Sequence, residues 1–239
     1  MVERLYLNDS YLKEFDAIVT GITGNEVELD KTAMYPTGGG QPCDTGTLSA
    51  NDISYEVIEV KNNGDSVVHV LSEEPNFKIG DIVHGKINWQ RRYAHMRYHT
   101  AVHIIGGVIT KKYGGMYTGG QIYEDRARDD YDMPSLNRET AAKIIEEAQA
   151  IADEGHRVLV KMLSKEEALR IESIARTAPG EELLKTLSSV RVIEIEGFDA
   201  QMDGGTHVAN TKEVGKMILT GFENKGSHRK RIEIRLEPK

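Results

Sequence analysis

Residues 89–115 read WQRRYAHMRYHTAVHIIGGVITKKYGG, and the hydrophobic period of the chain changes where this segment begins. Before Trp89, apolar and polar residues alternate in short runs, whereas from Trp89 onward the apolar residues recur at helical spacing until Gly114 and Gly115. Such a change of period separates a region of strands from a region that opens with a helix. The sequence therefore predicts one domain over residues 1–88 and a second over residues 89–239.

The first predicted domain is built from short alternating runs, which are typical of strands. The runs are FDAIVTGI (15–22), EVELD (26–30), ISYEVIEV (53–60) and SVVHVLS (66–72). Turn signals at Gly24-Asn25 and at Asn62-Asn63-Gly64 separate them. We expect a small β-barrel or a sandwich.

The second predicted domain mixes helices and strands. Helices are expected from Trp89 to about Tyr113, from about Asn137 to Glu154, and after Ser164, which opens a capping-box pattern with Glu167. Strand candidates are HRVLVKM, SVRVIEIEG, KMILTGF and RKRIEIRL, which begin at residues 156, 189, 216 and 229. The predicted fold class is therefore α+β, with helices on a largely antiparallel sheet.

Composition excludes several classes of protein. Hydrophobic residues make up 39% of the 239-residue chain, which is enough for packed cores. No apolar run is long enough for a membrane span, and the first ten residues, MVERLYLNDS, do not resemble a signal peptide. The single cysteine, Cys43, forms no internal disulfide and excludes a zinc site built mainly from thiolates. We expect a soluble cytoplasmic protein.

Charge is distributed unevenly along the chain. Residues 1–88 carry 6 basic and 15 acidic side chains, whereas residues 89–239 carry 24 basic and 23 acidic ones. Local basic clusters can attract phosphates even though the net charge is −8. The candidate phosphate-binding residues are Arg91, Arg92, Lys225, Arg229, Lys230 and Arg231. The plainer alternative is that these are ordinary solvated charges.

Two sets of residues have the spacing of metal ligands, one of three histidines and one of an aspartate and a histidine. His95, His99 and His103 are four residues apart, so a helix places them on one side, where two imidazoles can reach one zinc. Asp203 and His207 flank two glycines that favour a tight loop, and this pair would complete a site of three imidazoles and one oxygen. Each set also has a plainer interpretation. The histidines are then ordinary polar residues of an amphipathic helix, and Asp203 to His207 form a simple turn before a strand.

The third feature is the glycine run in YPTGGGQP (35–42). Gly38, Gly39 and Gly40 allow the backbone to approach a ligand closely and to direct several N–H groups one way. The run is not a Walker loop, because no Lys-Ser/Thr pair and no helical pattern follow it. A mobile turn is the alternative.

Taken in this order, the three features resemble the AlaX family of free-standing alanyl-tRNA editing proteins, which are similar to the editing domain of alanyl-tRNA synthetase. The resemblance covers nearly the whole chain and is closest to the medium-length form. The segments that resemble the family are LDKTAMYPTGGGQPCDTG (29–46), HTAVH (99–103), YTGGQIYEDRARDDYDM (117–133), DGGTHV (203–208) and NKGSHRKRIEIRLE (224–237). It implies a small translation-factor-like β-barrel followed by an α+β editing domain.

The activity that the resemblance implies is hydrolysis of the ester that joins serine, with glycine as a second candidate, to alanine tRNA. A synthetase pocket for alanine cannot strongly reject a ligand that adds only a hydroxyl, so a second site must remove the error. The family pattern gives Thr32 the recognition of the serine hydroxyl; otherwise Thr32 is simply a hydroxyl at a strand end. Gln41 and Gln121, with the glycines at 38–40, are candidate neighbours of the substrate.

The resemblance also implies a zinc cofactor. His99, His103 and His207 match three of the family's ligands, whereas Asp203 stands where the synthetase version, CGGTH, has cysteine. Either Asp203 ligates through oxygen, or zinc keeps three imidazoles and an open position. Whether the metal activates water or only anchors the aminoacyl group stays open, and so does the identity of a base.

Two other functions remain as alternatives. One is a non-catalytic tRNA-binding module whose zinc is structural, although structural sites are usually rich in thiolates. The other is editing in the threonine system, since the threonyl-tRNA synthetase editing domain shares the HxxxH-type second half. The glycine-rich barrel favours the alanine system.

Overall fold

The computed structural model describes residues 2–172 and 174–237. The chain divides into two compact units, Met1–His95 and Met96–Lys239. The unit boundary lies inside the first long helix, and the predicted division after residue 88 stays a prediction.

The first unit contains a closed six-stranded barrel with the strand order β2-β3-β7-β6-β5-β8, together with a two-stranded pair of β1 and β4. These strands are β1 Glu3–Arg4, β2 Glu14–Thr23, β3 Glu26–Leu29, β4 Lys31–Thr32, β5 Gly46–Ala50, β6 Ile53–Asn63, β7 Ser66–Leu71 and β8 Ile82–Ile87. A short 3-10 turn, Leu5–Leu7, follows β1. Because this sheet closes on itself, the fold is the expected β-barrel and not the expected sandwich.

The barrel follows from alternation and from the predicted turns. Along β2, Phe15, Ala17 and Val19 are buried and the residues between them are exposed, as a half-buried strand requires. Gly24 and Gly64 adopt left-handed φ values of 59° and 58° at the β2–β3 and β6–β7 turns. The four predicted strands of this unit are confirmed.

The two strands that complete the barrel, β5 and β8, were not predicted. β5 reads GTLSA and has a single large apolar residue, and β8 contains Gly85. Gly85 lies opposite Phe15 in the ladder, and a Cβ at this position would come within 2.4 Å of the Phe15 ring. The glycine therefore makes room for a core aromatic side chain, which local periodicity does not reveal.

The second unit carries most of the helices and two antiparallel sheets, one ordered β14-β15-β10-β9 and the other β11-β12-β13. The helices are α1 Trp89–Val108, which begins in the first unit, α2 Arg138–Glu154, α3 Lys165–Ala168 and α4 Ala178–Thr186. The strands are β9 Met116–Ile122, β10 Ala127–Asp132, β11 Val158–Ser164, β12 Ser189–Ile195, β13 Asp199–Met202, β14 Met217–Asn224 and β15 Lys230–Leu236. A 3-10 turn covers Thr211–Val214. The α+β prediction is confirmed.

Capping residues explain where the helices end. α1 continues as a π-helical turn, Ile109–Tyr113, and stops at Gly114 with φ 65°. Asn137 caps α2 by accepting a 2.9 Å hydrogen bond from the Thr140 N–H, and Ser164 forms the predicted capping box at α3. In the described part of the chain, no helix combines the length and the apolar character that crossing a membrane requires.

Candidate metal centre

Four side chains of the second unit converge on one point. His99 and His103 lie four residues apart on α1, and Asp203 and His207 lie in the loop that follows β13. One donor atom from each of the four lies within 4.8 Å of every other. The two pairs found in the sequence therefore form one group.

The imidazoles direct the same nitrogen at the carboxylate. The Nε2 atoms of His99 and His103 lie 3.5 Å and 4.0 Å from Asp203 Oδ1, and Nε2 of His207 lies 3.1 Å from Asp203 Oδ2. All three histidines are buried, and the Asp203 side chain is 15% exposed. His95 is also buried but does not belong to this group, so only two of the three helical histidines contribute.

Main-chain contacts fix the loop that carries Asp203. The Gly205 N–H donates to Asp203 Oδ2 at 2.6 Å, which turns the carboxylate back over its own loop. Arg191 on β12 donates from Nη1 to the Asp203 carbonyl at 2.8 Å and accepts the Asp203 N–H at its own carbonyl. The loop is neither helix nor strand, as its glycines predict, and no strand begins at His207.

Thr100 is a member of the site that sequence reasoning missed. Its Oγ1 lies 3.1 Å from Nδ1 of His207 and accepts a hydrogen bond from the Val208 N–H at 3.3 Å. If Nε2 of His207 held a metal, Nδ1 would carry the ring proton and its N–H would donate a hydrogen bond to Thr100 Oγ1, which would fix the tautomer. In the sequence, the one indication of this role is that Thr100 directly follows His99 on the same helix.

The ionisation states suit metal binding. Burial lowers the pKa of His99 to about 4, and it also lowers the pKa values of His103 and His207. For Asp203, burial opposes ionisation, but the imidazoles of His99 and His207 outweigh it and hold the pKa well below its ordinary value. Near neutral pH the site therefore offers three neutral imidazoles and one carboxylate, which is a donor set suited to zinc.

Thr32 lies in the first unit and is fully buried. Its Oγ1 accepts a hydrogen bond from the Met34 N–H at 3.0 Å and lies 2.8 Å from Nε2 of His69. Nδ1 of His69 lies 3.2 Å from the Val27 carbonyl, which can only accept, so Nδ1 carries the ring proton. Burial lowers the pKa of His69 to about 4, so its Nε2 accepts the Thr32 hydroxyl hydrogen.

The glycine run forms a closed turn. Gly38 and Gln41 exchange main-chain hydrogen bonds of 3.1 Å and 2.9 Å, and Gly39 and Gly40 between them adopt left-handed φ values of 58° and 81°. The Tyr35 hydroxyl donates to the Gly38 carbonyl at 2.9 Å. The N–H groups of Gly38 and Gln41 are thus hydrogen-bonded within the turn. Gln41 is fully buried, and Gln121 lies on β9 in the second unit.

Two of the candidate phosphate-binding residues are buried. Arg92 is fully buried and forms an ion pair with Asp44, which is buried as well. Lys230 is 6% exposed and donates from Nζ to Asn224 Oδ1 at 2.6 Å and to the Gly226 carbonyl at 2.7 Å. Both cations are therefore held by groups of the chain itself, and their part in tRNA binding stays a prediction.

The other four candidates keep some exposure. Arg229 and Arg231 both donate to Asp130 through Nε at 2.7 Å, but the side chain of Arg229 is 58% exposed and that of Arg231 is 17% exposed. Lys225 pairs with Glu223, and partly buried Arg91 donates to the Cys43 carbonyl. Lys225, Arg229 and Arg231 therefore contact acids of their own unit, although the two arginines share the single carboxylate of Asp130.

Comparison with families of known proteins matches both parts of the chain. Residues 7–91 match the model of tRNA synthetases class II (A). Residues 190–233 match the threonyl and alanyl tRNA synthetase second additional domain. The second match includes Asp203 and His207 of the metal-ligand group.

Individual relatives extend over the full chain. The alanyl-tRNA editing protein AlaX-M of Saccharolobus solfataricus is 40% identical over 241 residues, which covers 100% of both chains. AlaX-M of Methanosarcina acetivorans is 39% identical over 245 residues and 99% of both chains. The alanine–tRNA ligase of Ignicoccus hospitalis is 40% identical over 219 residues, which are 90% of this chain but 24% of the ligase. The similarity to the free-standing proteins is thus end to end.

Proposed function

The chain belongs to the family of alanyl-tRNA editing proteins AlaX-M, and from this premise we propose that it hydrolyses the ester of alanine tRNA wrongly charged with serine, with glycine as a second substrate. The observation that carries the proposal is the buried group of three imidazoles and one carboxylate in the second unit. A metal held by this group could polarise an ester carbonyl and lower the pKa of water, which is the chemistry that ester hydrolysis uses.

His99, His103, His207 and Asp203 would hold zinc. Bound zinc supplies positive charge that polarises an ester carbonyl and acidifies water. The chain's own residues keep this site in order: Thr100 holds the ring of His207, and the Gly205 N–H together with Arg191 holds Asp203. Their side chains and main chain fix the ligand directions before metal arrives, which lowers the cost of ordering the site.

Selectivity for serine is assigned in this proposal to Thr32. Its hydrogen is donated to His69 and one lone pair receives the Met34 N–H, so one acceptor lone pair remains. A serine hydroxyl can donate to that lone pair, whereas an alanine methyl cannot. Because Thr32 is fully buried, the residues that cover it must give way before a substrate reaches it.

Replacing Asp203 by cysteine should preserve zinc binding. The thiolate takes the place that cysteine has in the CGGTH pattern, and it binds zinc at least as well as a carboxylate. We expect Asp203→Cys to retain a full complement of zinc against a competing chelator, whereas Asp203→Ala loses it at a lower chelator concentration. Complete loss of metal from Asp203→Cys would mean that Asp203 is not a ligand.

Arg229 and Lys230 should differ in their effects on tRNA binding, although they are neighbours in sequence. Arg229→Gln removes an exposed charge, so the plot of log affinity against log salt should become shallower by somewhat under one unit, as for one lost phosphate contact. Lys230→Gln removes a buried donor, so it should leave the slope unchanged and lower the free energy of unfolding by about 1 to 3 kcal/mol. Equal changes in slope would contradict this assignment.

The experiment that tests the proposed function compares tRNAs that carry the same amino acid. The purified protein should release serine from alanine tRNA faster than from threonine tRNA, and it should release glycine from alanine tRNA as well. Preference for threonine tRNA would favour the threonine editing system. Tight tRNA binding without release of any amino acid would favour a binding module with structural zinc.

A further inference from the structure

Arginine side chains gather on one face of the sheet ordered β14-β15-β10-β9. Ile232 and Ile234 of β15 are buried on the inner face of this sheet, so the residues that alternate with them point to the opposite, outer face. Arg231 of β15 lies opposite Asp130 of β10 in the register, and Arg128 lies two residues before Asp130. Arg128 and Arg231 are therefore diagonal neighbours on the outer face.

Tyr123 positions the guanidinium group of Arg128. Tyr123 follows β9, and its N–H donates to the Arg126 carbonyl at 2.8 Å, which closes the turn between β9 and β10. The Cζ atoms of Arg126 and Arg128 lie 4.2 Å and 5.4 Å from the centroid of the Tyr123 ring. A cation–π contact holds the positive charge in place without supplying an oxygen acceptor to the N–H groups.

The donors of Arg128 are not used by the chain itself. In the described part of the chain, the side chain of Arg128 forms no ion pair and no hydrogen bond. Glu233 stands opposite Arg128 in the register, but its carboxylate oxygens lie 3.8 Å from Nε of Arg126 and 3.2 Å from the hydroxyl of Thr220. Arg128 therefore keeps a planar fork of N–H donors for an acceptor from outside the chain.

Other arginines extend this positive charge along the same face. Arg229 and Arg231 both contact the one carboxylate of Asp130, so one of their two charges is left unbalanced there. The side chain of Arg229 is 58% exposed. Arg235, further along β15, is 57% exposed and lies 3.9 Å from Asp125. The outer face thus presents more guanidinium charge than the acids in contact with it neutralise.

A chain of phosphates matches this surface. Each guanidinium fork can bind two oxygens of one phosphate, and phosphates repeat along an RNA strand, so neighbouring arginines can each engage a different one. We propose that the outer face of this sheet binds RNA and that Arg128 contacts a phosphate there beside Arg229 and Arg231. This inference rests on the proposed function, in which the RNA is alanine tRNA.

The test measures the affinity for uncharged alanine tRNA at several salt concentrations. Arg128→Gln removes the guanidinium charge, so the plot of log affinity against log salt should become shallower by somewhat under one unit. Arg128→Lys keeps the charge and should keep the wild-type slope. Arg170→Gln is the matched control, because Arg170 is exposed just after α3, which packs against β11 and β12 of the other sheet. This control should leave the slope unchanged.

The double variant Arg128→Gln/Arg229→Gln should lower the slope by somewhat under two units, because the two side chains contact different phosphates. A wild-type slope in Arg128→Gln would overturn the inference, and so would an equal loss of slope in Arg170→Gln. Equal flattening in Arg128→Gln and Arg128→Lys would show a structural role and overturn it as well. Binding of polyglutamate that Arg128→Gln abolishes, with the tRNA slope unchanged, would assign the face to an acidic protein instead.

The slopes report RNA binding alone, so release of serine from seryl-tRNA(Ala) is measured separately on the wild type. A wild type that binds tRNA but releases no serine would remove the proposed function, and the slopes would still decide the inference. A wild type that releases serine while Arg128→Gln keeps the wild-type slope would overturn the inference and leave the proposed function.

Discussion

Alanine at His99 or at His103 should lower kcat/KM for seryl-tRNA(Ala) by about a thousandfold or more, because each substitution removes one of four proposed ligands and with it charge worth several kcal/mol in the transition state. Bound zinc should fall from about one per chain to a small fraction, as measured by elemental analysis of the dialysed protein.

The matched control is His84→Ala. His84 lies on β8 of the barrel, it is not one of the four clustered residues, and its side chain is 46% exposed beside Asp16. This variant should keep both zinc and activity. Full activity of wild-type protein after chelation to a metal-free state would contradict the assignment of the metal to the reaction.

The second large effect concerns serine selectivity. Thr32→Val keeps the shape of the side chain and removes the oxygen, so the ratio of kcat/KM for the seryl ester to that for the alanyl ester should fall about tenfold to a hundredfold. The ratio is measured on one tRNA, so errors in enzyme concentration and in shared tRNA contacts cancel.

His69 provides a second way to change the same hydroxyl. His69→Phe keeps a ring of similar size and removes the nitrogen that accepts the Thr32 hydrogen, so the hydroxyl becomes free to donate as well as accept, and selectivity for a donor should weaken. Comparable melting temperatures of the variants and the wild type would show that the barrel is intact. An unchanged ester ratio in Thr32→Val would exclude Thr32 from substrate recognition.

Each half of the group of His99, His103, Asp203 and His207 could be predicted because its information is local, whereas the meeting of the two halves was expected from their combined donor chemistry and from the family resemblance. Helical spacing places His99 and His103 together, and the glycines after Asp203 predict the loop that presents His207. The turns at Gly24 and Gly64, the helix ends at Gly114 and Gly155, the capping box at Ser164 and eight of the fifteen described strands were predicted for the same reason, whereas α4 was not predicted. In each case, residues a few positions apart determine the geometry.

Long-range partners explain what sequence alone missed. Arg92 and Asp44 are 48 positions apart, and Arg229 is separated from Asp130 by 99 positions, so neither pairing was visible in the charge runs. β9 and β10 contain glycines and acids that disfavour strands in isolation, yet they complete a four-stranded sheet.

The central claim is that this chain distinguishes a wrongly attached serine from a correct alanine. Its most direct test is the hydrolysis of seryl-tRNA(Ala) and alanyl-tRNA(Ala) by the purified, zinc-loaded protein, measured as two kcat/KM values under identical conditions. We expect the seryl ester to be hydrolysed at least about tenfold more efficiently, with the alanyl ester largely spared. Equal values for the two esters, or no hydrolysis of the seryl ester, would contradict the editing function.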